Sequence, residues 1–223
     1  MLLLITDTSG KHGSVGLAHA ADDGVDVIES VPLAGGTFSA QLVPQMAQLL
    51  EKHRLTKDHI DAFIVISGPG SFTGLRVGLA AIKALAEILR KPIVPVSLLE
   101  VIARATETYG NLLTALDAGR GEVYAGEYEL TPKNCMPYGE RLLTMNEFML
   151  LARETVIATP DAALVEVLRG AGLAVISIDY PNAEIIARVG WQKLEAEQTI
   201  TPEQLEANYI RRSDAEIFAK SRS

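Results

Sequence analysis

The chain has 223 residues, 48% of them hydrophobic, which suits one large domain or two small ones with a packed core. Its formal net charge of −8 at pH 7 repels a phosphate backbone, so we do not expect the chain alone to bind nucleic acid. Cys135 is the one cysteine, so we expect no internal disulfide. The apolar start at Leu2 follows no basic region, and no apolar run approaches the roughly 20 residues of a membrane helix. We therefore expect a cytoplasmic protein.

The first half of the chain is predicted to alternate strands with helices. An apolar run and a second β-like segment form a hairpin, entered through Asp7-Thr8-Ser9. Helices and strands then follow one another, which predicts a layered α/β unit. The predicted strands are 2–6, 14–20, 61–67 and 93–96, and the predicted helices are 39–52, 73–89 and 98–108.

The second half repeats the opening hairpin about half a chain later, with Asp117 in the place of Asp7. This self-similarity predicts two related α/β lobes, residues 1–105 and 106–223, although chance resemblance of two short apolar strands is the alternative. The predicted strands are 112–116, 123–128, 156–158 and 175–178, the predicted helices are 145–153, 161–171 and 183–197, and a terminal helix follows Arg211.

A glycine-rich turn connects the predicted strand 61–67 to the helix 73–89. Gly68 and Gly70 permit a tight turn around Pro69, and Ser71 or Thr73 can cap the helix. Free N–H groups at such a helix start can also hold an anion. The spacing matches neither the dinucleotide fingerprint nor a Walker loop, so a structural role is favoured over phosphate binding.

Two helices carry almost no charge outside one narrow stripe. In the helix 73–89 the circumference opposite that stripe is apolar or small, which is typical of a helix buried on two sides. The helix 39–52 is apolar with mainly uncharged glutamines on its polar side, and Pro44 either delays its start or kinks it. Burial in the chain's own core and burial against a partner protein both explain these helices.

The residues 68–76, Gly-Pro-Gly-Ser-Phe-Thr-Gly-Leu-Arg, resemble the signature of the TsaB (YeaZ) family. Further matches follow in the expected order over essentially the whole chain. They are Asp7-Thr8-Ser9 with Ser14-Val15, Leu116-Asp117-Ala118 with Glu122-Val123-Tyr124, and Asn208-Tyr209-Ile210-Arg211. Phe38-Ser39 departs from the family, which often has His-Ser there. The resemblance implies an α/β, two-lobed actin-like fold of the sugar-kinase and heat-shock ATPase superfamily, with RNase H-like halves.

The resemblance also implies a division of labour between this chain and two partners. TsaD, a related protein, holds the metal and transfers threonylcarbamoyl to N6 of an adenosine in tRNA, assisted by TsaE, a P-loop ATPase. A TsaB-like chain is then a non-catalytic scaffold that reaches tRNA only through the complex and pairs weakly with itself when alone. We expect the partner contact at Leu42, Met46, Leu49, Gly74, Gly78, Ala81 and Leu85, exposed in the free chain.

No catalytic, metal-binding or cofactor-binding residue is expected. Leu98 and Ile102 stand where TsaD-like sequences carry two metal-binding histidines, and neither side chain can bind a metal. Asp7 and Asp117 match positions that handle metal-nucleotide in active superfamily members, and we interpret them as remnants. The alternative is a stand-alone ATPase or kinase that uses both aspartates around magnesium. A metalloprotease lacks its ligands, since His12, His19, His53 and His59 form no pair at helical spacing.

Overall fold

The computed structural model describes residues 1–106, 108–132 and 134–211. Its first half is a five-stranded sheet in the order β3-β2-β1-β4-β5, where β1 is antiparallel to β2 and parallel to β4. The strands are β1 Leu2–Asp7, β2 His12–Ala21, β3 Gly24–Ala34, β4 Ala62–Gly68 and β5 Ile93–Ser97. The helices are α1 Phe38–Lys52, α2 Phe72–Leu89 and α3 Leu98–Arg104, and a 3₁₀ turn spans Lys57–His59.

The second half is another five-stranded sheet, in the order β10-β9-β6-β7-β8. Its strands are β6 Gly110–Gly119, β7 Glu122–Leu130, β8 Cys135–Thr144, β9 Val156–Thr159 and β10 Val175–Ser177. Its helices are α4 Met145–Leu151, α5 Ala162–Gly170 and α6 Ala183–Glu195, with a 3₁₀ turn at Ala152–Glu154 after α4.

The two sheets have the same topology. In each, the first three strands form an antiparallel meander, and the fourth and fifth strands add in parallel beyond the first. Asp7 ends β1 and Asp117 lies near the end of β6, in the same place of the repeat. The prediction of two related α/β halves is therefore confirmed.

Strand alternation sorts the side chains into a stack of five layers. Leu2 and Leu4 face α1 and α2 on one side of the first sheet, whereas Leu3 and Ile5 face α3 and α6 on the other. The helix α3 also packs on the second sheet, whose far face is covered by α4 and α5. The order across the molecule is thus helices, sheet, helices, sheet, helices, with α3 and α6 at the centre.

Several element bounds differ from the prediction. The strands β3 and β8 were not predicted, and the helix predicted over 98–108 ends at Arg104. The helix α1 begins at Phe38 and runs through Pro44, so proline does not delay its start. The terminal helix predicted after Arg211 lies outside the described residues.

The chain returns to the first sheet after completing the second. The helix α6 packs on strands β1 to β5, and Ile200 forms an antiparallel bridge with Ile93. The predicted division at 105/106 assigns α6 and Ile200 to the second lobe, although both pack on the first sheet. That division stays a prediction. Within the described ranges no helix is long and apolar enough to span a membrane.

Candidate partner surface and cleft

The turn between β4 and α2 is shaped by close contacts within the chain. Gly68 has a φ of +132°, which disfavours a side chain, and a Cβ there would lie 2.9 Å from the carbonyl oxygen of Asn208. A Cβ on Gly70 would lie 2.3 Å from the carbonyl oxygen of Ser9. Ser71 caps α2, because its hydroxyl accepts a hydrogen bond from the N–H of Gly74 at 3.3 Å. Packing thus accounts for the glycines of this turn.

The small residues at the start of α2 pack against the chain's own β1–β2 loop. A Cβ on Gly74 would lie 2.1 Å from the carbonyl oxygen of Thr8, and a Cβ on Gly78 would lie 2.2 Å from the Thr8 hydroxyl. Both glycines are buried. The neighbour that approaches this row closely is therefore Thr8, an element of the same molecule.

The apolar face of α1 is also directed inward. Leu42, Met46 and Leu49 are buried in one cluster with Leu75 and Leu79 of α2, against the first sheet. Hence the expectation that the predicted interface residues are exposed in the free chain is wrong for Leu42, Met46, Leu49, Gly74 and Gly78, because the amphipathic faces cover the sheet. Ala81 and Leu85 are half-buried at the edge of the same cluster.

An exposed strip without charge runs along the outer side of both helices, and we call it the outer strip. Its largest exposed side chains are Ile88 in α2, 72% exposed, and Val43 in α1, 54% exposed. The exposed charged side chains of α2, Arg76, Lys83 and Glu87, form a stripe that borders it. The strip consists of the exposed residues Ala40, Val43, Pro44 and Ala47 in α1 and Ala80, Ala84 and Ile88 in α2, together with half-buried Val77 and Ala81.

A cleft of about 1120 Å³ opens between the two sheets. The first half contributes the β1–β2 loop and the start of α2, and the second half contributes the β6–β7 hairpin and the start of α5. The polar or charged side chains that line it include Ser9, Lys11, His12, Asp117, Tyr124, Asp161, Tyr180 and Arg211. Sequence reasoning missed Asp161 and Tyr180, since neither stands in a recognisable motif.

Asp7 lies buried beside this cleft, and both of its carboxylate oxygens accept hydrogen bonds from the chain itself. Oδ1 accepts from the N–H of Ser9 at 2.8 Å and from its hydroxyl at 2.5 Å, and Oδ2 accepts from the Tyr180 hydroxyl at 3.3 Å. Burial raises the pKa of Asp7 above its ordinary value, although these hydrogen bonds act in the opposite direction. The arrangement does not fit a carboxylate that handles metal-nucleotide.

Tyr180 reaches Asp7 from the second half of the molecule, from the segment between β10 and α6. The residue is 39% exposed overall, but its hydroxyl points inward, 3.3 Å from the Ser9 hydroxyl. Burial of the hydroxyl, followed by the charge of Asp7, raises the pKa of Tyr180. The phenol therefore stays protonated and donates to the carboxylate.

Asp117 is exposed at the other wall of the cleft. Its N–H donates to Oδ2 of Asp161 at 2.7 Å, and its own Oδ1 accepts from the N–H of Gly119 at 2.8 Å. Burial raises the pKa of Asp161, and the charge of Asp117 acts in the same direction. Across residues 1–106, 108–132 and 134–211, no three His, Cys, Asp or Glu side chains are grouped so that they could hold a metal ion. Leu98 and Ile102 are buried in α3.

Comparison with known proteins assigns the chain to a family. Residues 32–164 match the family model described as TsaD, tRNA N6-adenosine threonylcarbamoyltransferase. The TsaB protein of Bacillus subtilis, a tRNA threonylcarbamoyladenosine biosynthesis protein, is 33% identical over 130 residues, which cover 58% of this chain and 56% of the relative. The match thus spans about half the length of that relative, and 52% of the TsaB protein of Haemophilus influenzae.

Two further similarities extend over nearly the whole chain. The TsaB protein of Escherichia coli is 27% identical over 228 residues, covering 96% of both chains. The solved structure of YeaZ from Pseudomonas aeruginosa is 26% identical and superposes with a TM-score of 0.75, covering 93% of this chain and 99% of that one. The fold is of the actin-like class with RNase H-like halves. The chain belongs to the TsaD family defined by that model and, within it, to the TsaB (YeaZ) branch.

Proposed function

We propose that the chain is a non-catalytic scaffold that pairs with a TsaD-like protein and a TsaE-like ATPase for N6-threonylcarbamoylation of adenosine in tRNA. The family supports a place in this pathway. The TsaD-like subunit performs the transfer of threonylcarbamoyl, and this chain activates that subunit by contact. Because the net charge of −8 on this chain repels the phosphate backbone, tRNA binds to the assembled complex and not to this chain alone. The complex works in the cytoplasm.

The observation that carries the proposal is the outer strip of α1 and α2. Uncharged, partly apolar side chains stand exposed on two adjacent helices of an otherwise acidic chain. A specific interface covers roughly 800 Å² on each partner, and charged residues are depleted at its centre. The predicted interface residues contribute to this surface indirectly, because Leu42, Met46, Leu49, Gly74 and Gly78 fix the two helices on the sheet. Ala81 belongs to the strip, and Leu85 flanks it.

The same strip is expected to mediate weak homodimers of the isolated chain. An apolar surface without its partner favours association with a second copy, and a two-fold dimer would place the two strips against each other. A TsaD-like partner would then compete with self-association. Sedimentation of the chain alone and after addition of the partner distinguishes the two states.

The alternative of a stand-alone ATPase or kinase receives less support from the cleft. Such an enzyme would use Asp7 and Asp117 around magnesium. Both oxygens of Asp7 are bound by Ser9 and Tyr180, and Asp117 is exposed on the opposite wall. Nucleotide turnover by the chain alone would therefore require Tyr180 to leave Asp7.

The test is a charge placed in the outer strip. Ala84 is exposed in α2, so Ala84→Arg should leave the fold intact. An arginine without a partner, buried in an apolar contact, should cost at least about 3 kcal/mol, roughly a hundredfold in Kd. Isothermal titration with the TsaD homologue of the same organism measures this loss. Thermal melting of the variant provides the folding control.

Ala163→Arg is the matched control, because Ala163 is also exposed and lies in α5, on the far side of the second sheet. It should bind the TsaD homologue as the unmodified chain does. If Ala84→Arg also binds unchanged, the outer strip is not the contact. If the unmodified chain does not bind the homologue at all, the scaffold proposal is wrong.

A further inference from the structure

The last described segment, residues 200–211, forms a strap that runs from the first half of the molecule to the second. It begins at the edge of the first sheet, where Ile200 exchanges backbone hydrogen bonds with Ile93 at 2.8 and 3.2 Å. Leu205 is then buried in the cluster beneath α1 and α2. At the far end, the guanidinium of Arg211 donates to the Glu122 carboxylate and to the carbonyl oxygen of Gly119, in the β6–β7 hairpin.

Asn208 is the residue of the strap that touches both halves. Its backbone N–H donates to the carbonyl oxygen of Ser67, at the end of β4, at 2.8 Å. Its side-chain amide donates to Oε2 of Glu140, in β8 of the second sheet, at 2.6 Å. Asn208 therefore connects the strand that leads into α2 with an edge strand of the other sheet.

Glu140 collects three donors from three parts of the chain. Besides Asn208, its carboxylate accepts from the Tyr128 hydroxyl at 2.5 Å and from the hydroxyl of Ser97, the residue that caps α3. Burial, followed by the charge of Glu140, raises the pKa of Tyr128, so that phenol stays a donor. Hydrogen bonds to a charged acceptor are about twice as strong as neutral ones. Glu140 thus connects β5, β7 and the strap through hydrogen bonds.

The residue after Asn208 completes a cluster at the start of α2. The rings of Tyr209 and Phe72 lie 5.1 Å apart, and the Arg76 guanidinium stands 3.9 Å over the Phe72 ring. Arg76 Nε also donates to the Tyr209 hydroxyl at 3.2 Å. The strap therefore contacts the first turn of α2 through Tyr209.

We propose that Glu140 and Asn208 are positioning residues for the partner surface, acting on α2 from the other half of the molecule. Their hydrogen bond fixes the strap to the second sheet at Asn208, and the strap holds the first turn of α2 in the orientation that presents the outer strip. The proposal rests on the scaffold function proposed above. Breaking the bond loosens the strap at Asn208 without altering any residue of the outer strip.

The polarity of the bond provides a sharp test. Asn208→Asp places two carboxylates within hydrogen-bond distance, where their like charges repel each other. Glu140→Gln alone is mild, because the Asn208 amide can turn over and accept from the new amide. In the double variant, the amide introduced in β8 donates to the carboxylate introduced in the strap, and the oxygen of that amide still accepts from Tyr128 and Ser97. The bond is thereby restored with reversed polarity.

Two measurements at pH 8 separate positioning from general damage. Hydrogen exchange of the backbone amide at position 208, measured without a partner, should be about tenfold faster or more in Asn208→Asp. Affinity for the TsaD homologue should fall by about tenfold in the same variant. Both effects should be small in Glu140→Gln. In the double variant the exchange rate and the affinity should return to the values of the unmodified chain. Asn146→Asp, an exposed site in the first turn of α4, should change neither.

The outcomes decide between the two proposals. Fast exchange with unchanged affinity would show that the strap does not position the partner surface, and would overturn this inference while leaving the scaffold function intact. A double variant no better than Asn208→Asp would also overturn it, since the damage would then not come from this bond. Failure of the unmodified chain to bind the TsaD homologue would overturn the scaffold function, and the positioning role with it.

Discussion

Replacing Gly74 with alanine tests whether the small residues of α2 pack against the chain itself. The new Cβ would lie 2.1 Å from the Thr8 carbonyl oxygen and 3.2 Å from the Phe38 ring. Such overpacking costs about 1–3 kcal/mol, while alanine regains up to about 1 kcal/mol of helix propensity. Because the clash is with a backbone oxygen, the cost lies near the upper end of that range, and we expect a net loss of about 2 kcal/mol. For a chain of this length that lowers Tm by about 4–8 °C.

The assay is unfolding in urea followed by circular dichroism, with Gly170→Ala as the control. Gly170 ends α5, and nothing lies within 4 Å of a Cβ built there, so the control should be neutral or more stable. Titration with the TsaD homologue is the second readout. If Gly74→Ala is as stable as the unmodified chain but loses partner binding, the row faces the partner and the assignment to Thr8 is wrong.

Two further predictions concern the contact beside the cleft. The pKa of Asp7 is raised in the folded chain, so above about pH 4 the folded state binds more protons than the unfolded state. The free energy of unfolding contributed by Asp7 therefore falls as the pH rises through the folded pKa. Asp7→Asn should remove this dependence in urea titrations between pH 4 and 7, and a pH-independent difference between the two chains would contradict it. Tyr180→Phe should cost about 1–2 kcal/mol in the same assay by removing one donor to a buried carboxylate. An equal cost in an Asp7→Ala background, which offers the Tyr180 hydroxyl no side-chain partner at position 7, would show that the two side chains do not interact.

Most of the strands and helices could be predicted from the local pattern of apolar residues in the sequence. Continuous apolar runs predicted β1, β4 and β6, and apolar rows at helical spacing predicted α1 and α2 to within a residue. The strands β3 and β8 were missed because they are edge strands, with charged or exposed side chains at Asp26 and Glu29 in one and with Pro137 and Gly139 in the other. Their pairing with β2 and β7 defines them, and that pairing cannot be inferred from their composition.

The site depends on contacts that no periodicity encodes. Helical spacing placed Gly74 and Gly78 on one face but could not say that Thr8 covers it. Tyr180 meets Asp7 across 173 positions, and Asn208 meets Glu140 across 68. Each of these pairs exists only once the two sheets are in place, so the sequence singled out Asp7, Asp117 and the helices α1 and α2 but not the bonds that join the halves.

The central claim is that this chain activates a TsaD-like enzyme without performing chemistry itself. The direct test is a reconstitution with the TsaD and TsaE homologues of the same organism, unmodified tRNA, ATP and a threonylcarbamoyl donor, with N6-threonylcarbamoyladenosine quantified by mass spectrometry of the digested tRNA. We predict that the product forms with all three proteins, is lost when this chain is omitted, and is absent with this chain alone. An equal yield without the chain, or ATP hydrolysis by the chain alone that Asp7→Asn abolishes, would contradict the account.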